Sequence, residues 1–268
     1  MTSLPRRIYK KPHRAKRKKP LWSKPRFWQS LFWVSTALGG FWLVCFSPAL
    51  EVKDIEIAGA RKIDKNVCAK TIEDQVAKKI ALFDSKSILL FDVEQAKKDL
   101  LARFPQAQNI KIEREFPSKI IASVEERRAV AQIAAAGKYY NLDQDGVAFE
   151  EAAKNNDLLE ISTAVENIAI GQNAMEKDHL AAILRLKGDI DIDGKIKLAR
   201  AIAVSAERIN LQTADGWQIY FNPLKDAGSQ SAKLLAVLAD ESFAQKRPNL
   251  EYIDIRFTRV YLKEKSPN

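Results

Sequence analysis

Residues 27–50 carry no charged side chain, while the 26 residues before them hold eleven Lys or Arg and no acid. Twenty helical residues reach about 30 Å, roughly the hydrocarbon thickness of a bilayer. The run from Phe27-Trp28 through Gly39-Gly40 to Cys45-Phe46 therefore predicts one transmembrane helix over 27–48. A signal peptide would have a shorter apolar core and a small-x-small exit. Here the exit is Phe46-Ser47-Pro48-Ala49-Leu50, and Trp42 stands three residues before Cys45, unlike a lipid-modified cysteine. The segment is read as an uncleaved anchor, with Trp22, Phe27 and Trp28 at one boundary and Phe41, Trp42 and Phe46 at the other.

The net charge of +10 invites a nucleic-acid reading, but its placement argues against one. Eleven of the 44 basic residues lie in the tail, so 33 remain against 34 acids in the rest of the chain. A near-neutral body is no trap for phosphates, and no nucleic-acid partner is expected. The basic tail, 1–26, is instead the flank that keeps a membrane segment's N-terminus in the cytoplasm and can lie on anionic lipid. Its prolines and missing apolar periodicity leave nothing with which to build a core.

Beyond Pro48 the pattern becomes soluble. Val52-Lys53-Asp54-Ile55-Glu56-Ile57 alternates as a strand, and Gly59 breaks it. Asp64 N-caps a helix with Cys68, Ile72, Val76 and Ile80 on one face, and Asp92 opens a second, with Gln95 placed as in a capping box. Pro105 stops that helix after Phe104, and strands follow over Asn109–Glu113 and Lys119–Glu125, with a turn at Glu115–Ser118. Strand, helix, helix, strand, strand over 52–125 predicts two helices on one face of a three-stranded sheet, a small α+β domain.

The remainder, 126–262, reads as a β-rich domain with two helices. Strands are expected over Ala129–Ile133, Tyr139–Leu142, Val147–Phe149, Arg208–Gln212, Trp217–Phe221 and Tyr252–Phe257. Val260-Tyr261-Leu262 continues the chain, and 263–268 is a polar end. The helices are expected over Asp178–Leu186, with Leu180, Ile183 and Leu184 on one side, and over Ser231–Phe243, with Leu235, Leu238 and Ala239 inward.

Catalytic or metal chemistry has little material. Only two histidines occur: His13 in the tail and His179, expected to be solvated at a helix start. Cys45 lies in the anchor and Cys68 beyond it, so they cannot readily meet, and Cys68 reads as a small buried hydrophobe. No P-loop, G-x-S-x-G or G-x-G-x-x-G is present. Asp189–Gly194 and Asn141–Gly146 imitate the start of a calcium loop, but position twelve, where a bidentate Glu is needed, holds Arg200 and Ala152. Both are read as D-G turns between strands. No catalytic residue, metal site or cofactor is expected.

Order and spacing then carry a resemblance. Val52–Gly59, the Phe104-Pro105 break before Ile110-Lys111-Ile112-Glu113-Arg114-Glu115-Phe116-Pro117, and Glu125-Glu126-Arg127-Arg128-Ala129-Val130-Ala131 follow one another as in the FtsQ/DivIB family of bacterial cell-division proteins. Tyr139–Phe149 and Tyr252-Ile253-Asp254-Ile255-Arg256-Phe257 extend the match to the late strand. The chain departs from the family at Leu158–Ser162, where neither the usual Pro nor the usual Gly occurs. The resemblance implies a POTRA-like domain turned at Gly59, an FtsQ-type β domain, and an inner-membrane protein with its bulk in the periplasm at the division septum. It implies a non-enzymatic role in recruiting and linking division proteins, with FtsB and FtsL as partners. Partner binding would be by strand addition at a sheet edge formed by Leu250, Tyr252, Ile253, Asp254, Ile255, Arg256 and Phe257. Two rivals fit the same topology: a membrane-tethered POTRA-type assembly chaperone and a membrane-anchored cell-wall enzyme.

Overall fold

In the computed structural model, which describes residues 22, 24–80, 83–163, 165 and 167–265, the uncharged run forms α1 (Pro25–Phe46). Pro25 suits the first turn, where its missing N–H would have no helical partner. This 22-residue helix is long and apolar enough to cross a membrane. Most of the basic tail lies outside the described residues.

The first folded unit runs β1 (Asp54–Ala58), α2 (Lys65–Val76), β2 (Lys78–Ile80), β3 (Phe83–Ser85), α3 (Val93–Arg103), β4 (Ala107–Glu115) and β5 (Lys119–Glu126). Its main sheet has the order β1-β5-β4, with β1 parallel and β4 antiparallel to β5. Cys68, Ile72 and Val76 of α2 and Ala96 and Leu100 of α3 pack against Ile110, Ile112, Ile120, Ala122 and Val124. Burial alone raises the Cys68 thiol pKa. Asp64 caps α2 by accepting from Asn66 N at 2.8 Å, and Asp92 caps α3 by accepting from Gln95 N at 3.1 Å. The expected capping box is only half formed: the Gln95 amide turns to Asp99 instead, at 2.9 Å. Ile80 is also not on α2. The helix stops at Val76, and Lys78–Ile80 pairs with Phe83–Ser85 as a hairpin between the helices that the periodicity did not announce. Gly59 ends β1 at φ +81°, where a Cβ would stand 2.3 Å from the Val124 carbonyl oxygen.

The second unit holds β6 (Ala131–Ala135), β7 (Lys138–Leu142), β8 (Val147–Ala152), β9 (Leu159–Ser162), β10 (Gln172–Asn173), α4 (Lys177–Asp193), β11 (Leu198–Ser205), β12 (Arg208–Thr213), β13 (Gln218–Phe221), α5 (Ala227–Ala239), α6 (Glu241–Lys246), β14 (Leu250–Asp254) and β15 (Tyr261–Glu264). The strands form one sheet, ordered β10-β8-β7-β6-β9-β11-β12-β13-β14-β15. Leu180, Ile183, Leu186 and Ile190 of α4 and Leu234 and Leu238 of α5 bury its inner face, on Ile133, Leu142, Ile161, Leu211, Ile219 and Ile253. Three expectations are corrected here. α4 runs on to Asp193 and Gly194 caps it, so Asp189–Gly194 is a helix end and not a turn between strands. In α5 Leu234 and Leu238 are the fully inward pair, whereas Ala239 is exposed. His179 is not solvated: its side chain is 13% exposed, with Nε2 3.5 Å from the Glu176 carboxylate.

The two units meet at Arg127. Its Nε donates to Pro105 O at 3.1 Å, and its guanidinium pairs with Asp143, whose side chain is almost wholly buried. Next to it, Glu126 Oε1 accepts the backbone N–H groups of Arg61, Lys62 and Ile63 at 2.7, 2.7 and 3.0 Å. Burial favours its neutral form, but those three donors outweigh burial and lower its pKa.

Candidate partner-binding edge

The outer face of the large sheet is polar. Directly paired positions share a face, and the register sets Glu150, Asn141, Gln132, Glu160, Arg200, Gln212, Gln218, Tyr252 and Lys263 in one row across nine strands. The row is stitched by Asn141 Nδ2 to Glu150 at 2.8 Å, Gln132 Nε2 to Asn141 Oδ1 at 2.9 Å, and Arg200 Nε to Gln212 Oε1 at 2.7 Å. Toward β15 the row becomes aromatic and basic. Tyr220 and Tyr252 stack with centroids 4.5 Å apart, Arg208 lies 4.0 Å over Tyr220, and Lys263 lies 5.9 Å over Tyr252.

The strand expected at the edge is not there. Leu250, Tyr252, Ile253 and Asp254 belong to β14, which has a parallel neighbour in β13 and an antiparallel one in β15. Ile255, Arg256 and Phe257 fall after the strand, in the turn toward β15. Lysines hold that turn: Lys233 Nζ donates to Ile255 O at 2.9 Å and Phe257 O at 2.7 Å, and Lys225 Nζ to Arg256 O at 3.0 Å. Leu250, Ile253 and Ile255 are fully buried and cannot meet a partner. Asp254 is occupied by Arg256, whose Nη2 and Nε reach its two oxygens at 2.6 and 2.9 Å. Burial pushes the Asp254 pKa up, but the Arg256 guanidinium more than reverses this and leaves it lowered. Of the seven residues, Tyr252, Arg256 and the half-exposed Phe257 keep accessible surface.

The edge itself is β15, which pairs with β14 on one side and, among the described residues, with nothing on the other. Lys265 N donates to Asn249 O at 2.7 Å, so ladder alternation directs the backbone groups of Lys263 and Tyr261 toward β14. It directs those of Leu262 and Glu264 outward. Around this edge Tyr261, Leu262, Phe257 and Leu224 are all exposed apolar side chains. Leu224 and Phe257, with Glu207, Asn222, Lys225 and Arg256, line an open hollow of about 390 Å³ beside the turn. The sequence signal for β15 was Val260-Tyr261-Leu262, three strand-favouring residues directly after a turn.

Among the described residues no three His, Cys, Asp or Glu side chains gather as a metal site. A hollow of about 840 Å³ lies at the unit junction beside Arg61, Lys62, Glu126, Arg127 and Asp143, residues spent on one another.

One membrane-length helix, a β-α-α-β-β unit and a helix-backed sheet whose last strand has, among the described residues, an open outer side are the layout of a single-pass membrane protein. Residues 50–127 match the POTRA domain of FtsQ type, and residues 130–256 match the C-terminal domain of cell division protein FtsQ/DivIB. The cell division protein FtsQ of Streptomyces bingchenggensis (strain BCW-1) is 25% identical over 168 residues, covering 60% of this chain and 60% of that relative. The chain belongs to the FtsQ/DivIB family of cell-division proteins.

Proposed function

We propose that this protein is a non-enzymatic connector of the division machinery. Its N-terminus is cytoplasmic, its two folded units are periplasmic at the septum, and FtsB, travelling with FtsL, adds a strand along β15. The unpaired outer edge of β15 carries this reading. Main-chain groups of Leu262 and Glu264 supply the ladder, and the exposed Tyr261, Phe257 and Leu224 supply side-chain selectivity. The basic tail, with no acid to offset it, supports the orientation.

Proline scanning tests the edge. Leu262→Pro removes an outward N–H that the protein's own sheet does not use, which an edge strand tolerates. It should abolish capture of FtsB by the full-length protein, while Leu262→Ala, which keeps that N–H, retains most of it. Undiminished capture by Leu262→Pro would remove β15 from the interface. Pull-downs of the two variants from membranes, with thermal unfolding as the check on folding, give the answer.

A further inference from the structure

The hairpin of β2 and β3 stands at the membrane end of the first unit, and the activity proposed above gives it no task. Its position is fixed to α1. Ser85 Oγ donates to Cys45 O, and Ser87 Oγ donates to Val44 O at 2.6 Å; both serines are buried. These are two of the last-turn carbonyls that a helix cannot satisfy by itself. The chain leaving the helix then pairs with the chain leaving the hairpin, through Val52 N to Lys86 O at 3.0 Å and Ile88 N to Leu50 O at 2.8 Å. Hairpin and helix end therefore form one body.

That attachment sets a depth. At 1.5 Å per residue the 22 residues of α1 span about 33 Å, which puts Phe46, the last of them, at the far boundary of the hydrocarbon. Phe83 packs edge-on to Phe46 with centroids 5.9 Å apart, yet 67% of Phe83 is exposed. On the other strand Lys78 shares the face of Ile80, Phe83 and Ser85, whereas Lys79 stands on the opposite face across from Asp84. An exposed aromatic at interface depth, with Lys78 on its face and clamped to a spanning helix, has the chemistry of a membrane-interface anchor.

We infer that the β2–β3 hairpin inserts Phe83 into the periplasmic lipid interface as a second membrane contact. The contact adds to the Ser85 and Ser87 bonds in holding the first unit against the end of α1. The occupant is lipid, because the aromatic neighbour that Phe83 already touches belongs to the spanning helix itself.

The test uses the full chain with Phe83→Cys, labelled with an environment-sensitive fluorophore, in vesicles of phosphatidylethanolamine and phosphatidylglycerol. Both native cysteines are buried and leave the label site-specific. Asp157→Cys, on an exposed loop of the second unit, is the control. The label at 83 should be quenched by a nitroxide placed shallow on the acyl chain and be several-fold less accessible to iodide than the label at 157. Iodide quenching equal to that of the control overturns the inference. Protection from iodide without quenching by the lipid nitroxide also overturns it, since a second copy of the chain would then be the cover.

Discussion

Asp254 and Arg256, two residues apart, close a bidentate ion pair across the end of β14, with Nη2 to Oδ2 at 2.6 Å and Nε to Oδ1 at 2.9 Å. Asp254 ends the strand with its carboxylate 8% exposed, and Arg256 folds back over it toward the Tyr220 and Phe257 rings. The resemblance made both residues candidate partner contacts. The geometry makes them a clasp that sets where the chain leaves β14 and starts toward β15.

Breaking the clasp should cost stability. Arg256→Ala strands a nearly buried carboxylate, a loss of about 3–5 kcal/mol for a fully buried pair. Arg256 is 23% exposed, so a destabilisation of about 2 kcal/mol is expected. Asp254 has a lowered pKa, so its contribution is complete above the ordinary carboxylate range, about pH 4, and is lost as pH falls through the depressed value. Urea unfolding at pH 7 should separate wild type from variant most widely, with the gap narrowing below about pH 4. An equal gap at both pH values would mean that the guanidinium acts by packing alone.

The sheet edge was only partly legible in the sequence. Strict alternation found β12, β13 and β14, because Ile209, Leu211, Ile219, Phe221 and Ile253 mark one buried face. β11, Leu-Ala-Arg-Ala-Ile-Ala-Val-Ser, hides because alanine favours no strand, and β9 has only four residues despite sitting at the centre of the sheet. The break after Asp254 was invisible for another reason. Tyr252 to Phe257 alternates throughout, yet the strand ends at Asp254, where Lys225 and Lys233, 22 to 31 positions earlier, take up the next carbonyls. Periodicity reports which face a residue would occupy, not whether a distant cation will bend the chain away.

Glu126 should behave as a fixed acceptor at the base of the first unit. Glu126→Ala leaves the N–H groups of Arg61, Lys62 and Ile63 without their shared partner, at a cost of roughly 1–3 kcal/mol. Glu126→Gln keeps an oxygen in place and should recover part of that loss. The pKa of Glu126 is lowered, so the contribution that depends on its charge is present above the ordinary glutamate value and fades as pH falls through the depressed one. Thermal unfolding of the three proteins at neutral and acid pH measures both effects; equal stability of the alanine and glutamine variants would deny the carboxylate this role.

Two glycines separate steric from conformational cost. Gly59 and Gly216 have φ of +81° and +91°, but a Cβ at Gly59 meets the Val124 carbonyl oxygen at 2.3 Å whereas one at Gly216 meets nothing within 4 Å. Gly216→Ala should lose about 1 kcal/mol, the strain of the left-handed conformation. Gly59→Ala should lose roughly 2–4 kcal/mol, because β1 must also move away from β5. Denaturant midpoints of the two variants give the comparison, and equal losses would mean that the β1–β5 ladder yields without resistance.

Lys233 links the helix layer to the proposed interface. Its ammonium bonds the carbonyls of Ile255 and Phe257, so α5 holds the turn from which β15 departs. Lys233→Met keeps the apolar stem and removes only those donors. Each charge-assisted bond is worth about 1.5–3 kcal/mol, although partial exposure and water replacing the ammonium reduce the loss. The loss should stay local, because Leu234 and Leu238 still seat the helix on the sheet. Amide exchange should therefore accelerate at Lys263 and Lys265, whose N–H groups face β14, and remain unchanged at Ile219 and Leu211 in the sheet interior. If β15 is the docking strand, FtsB capture should fall about tenfold, since a drop of about 1.4 kcal/mol in the population of the ordered edge passes directly into affinity. Faster exchange with undiminished capture would show that the partner does not need β15 in place; unchanged exchange would show that Lys233 does not hold the turn.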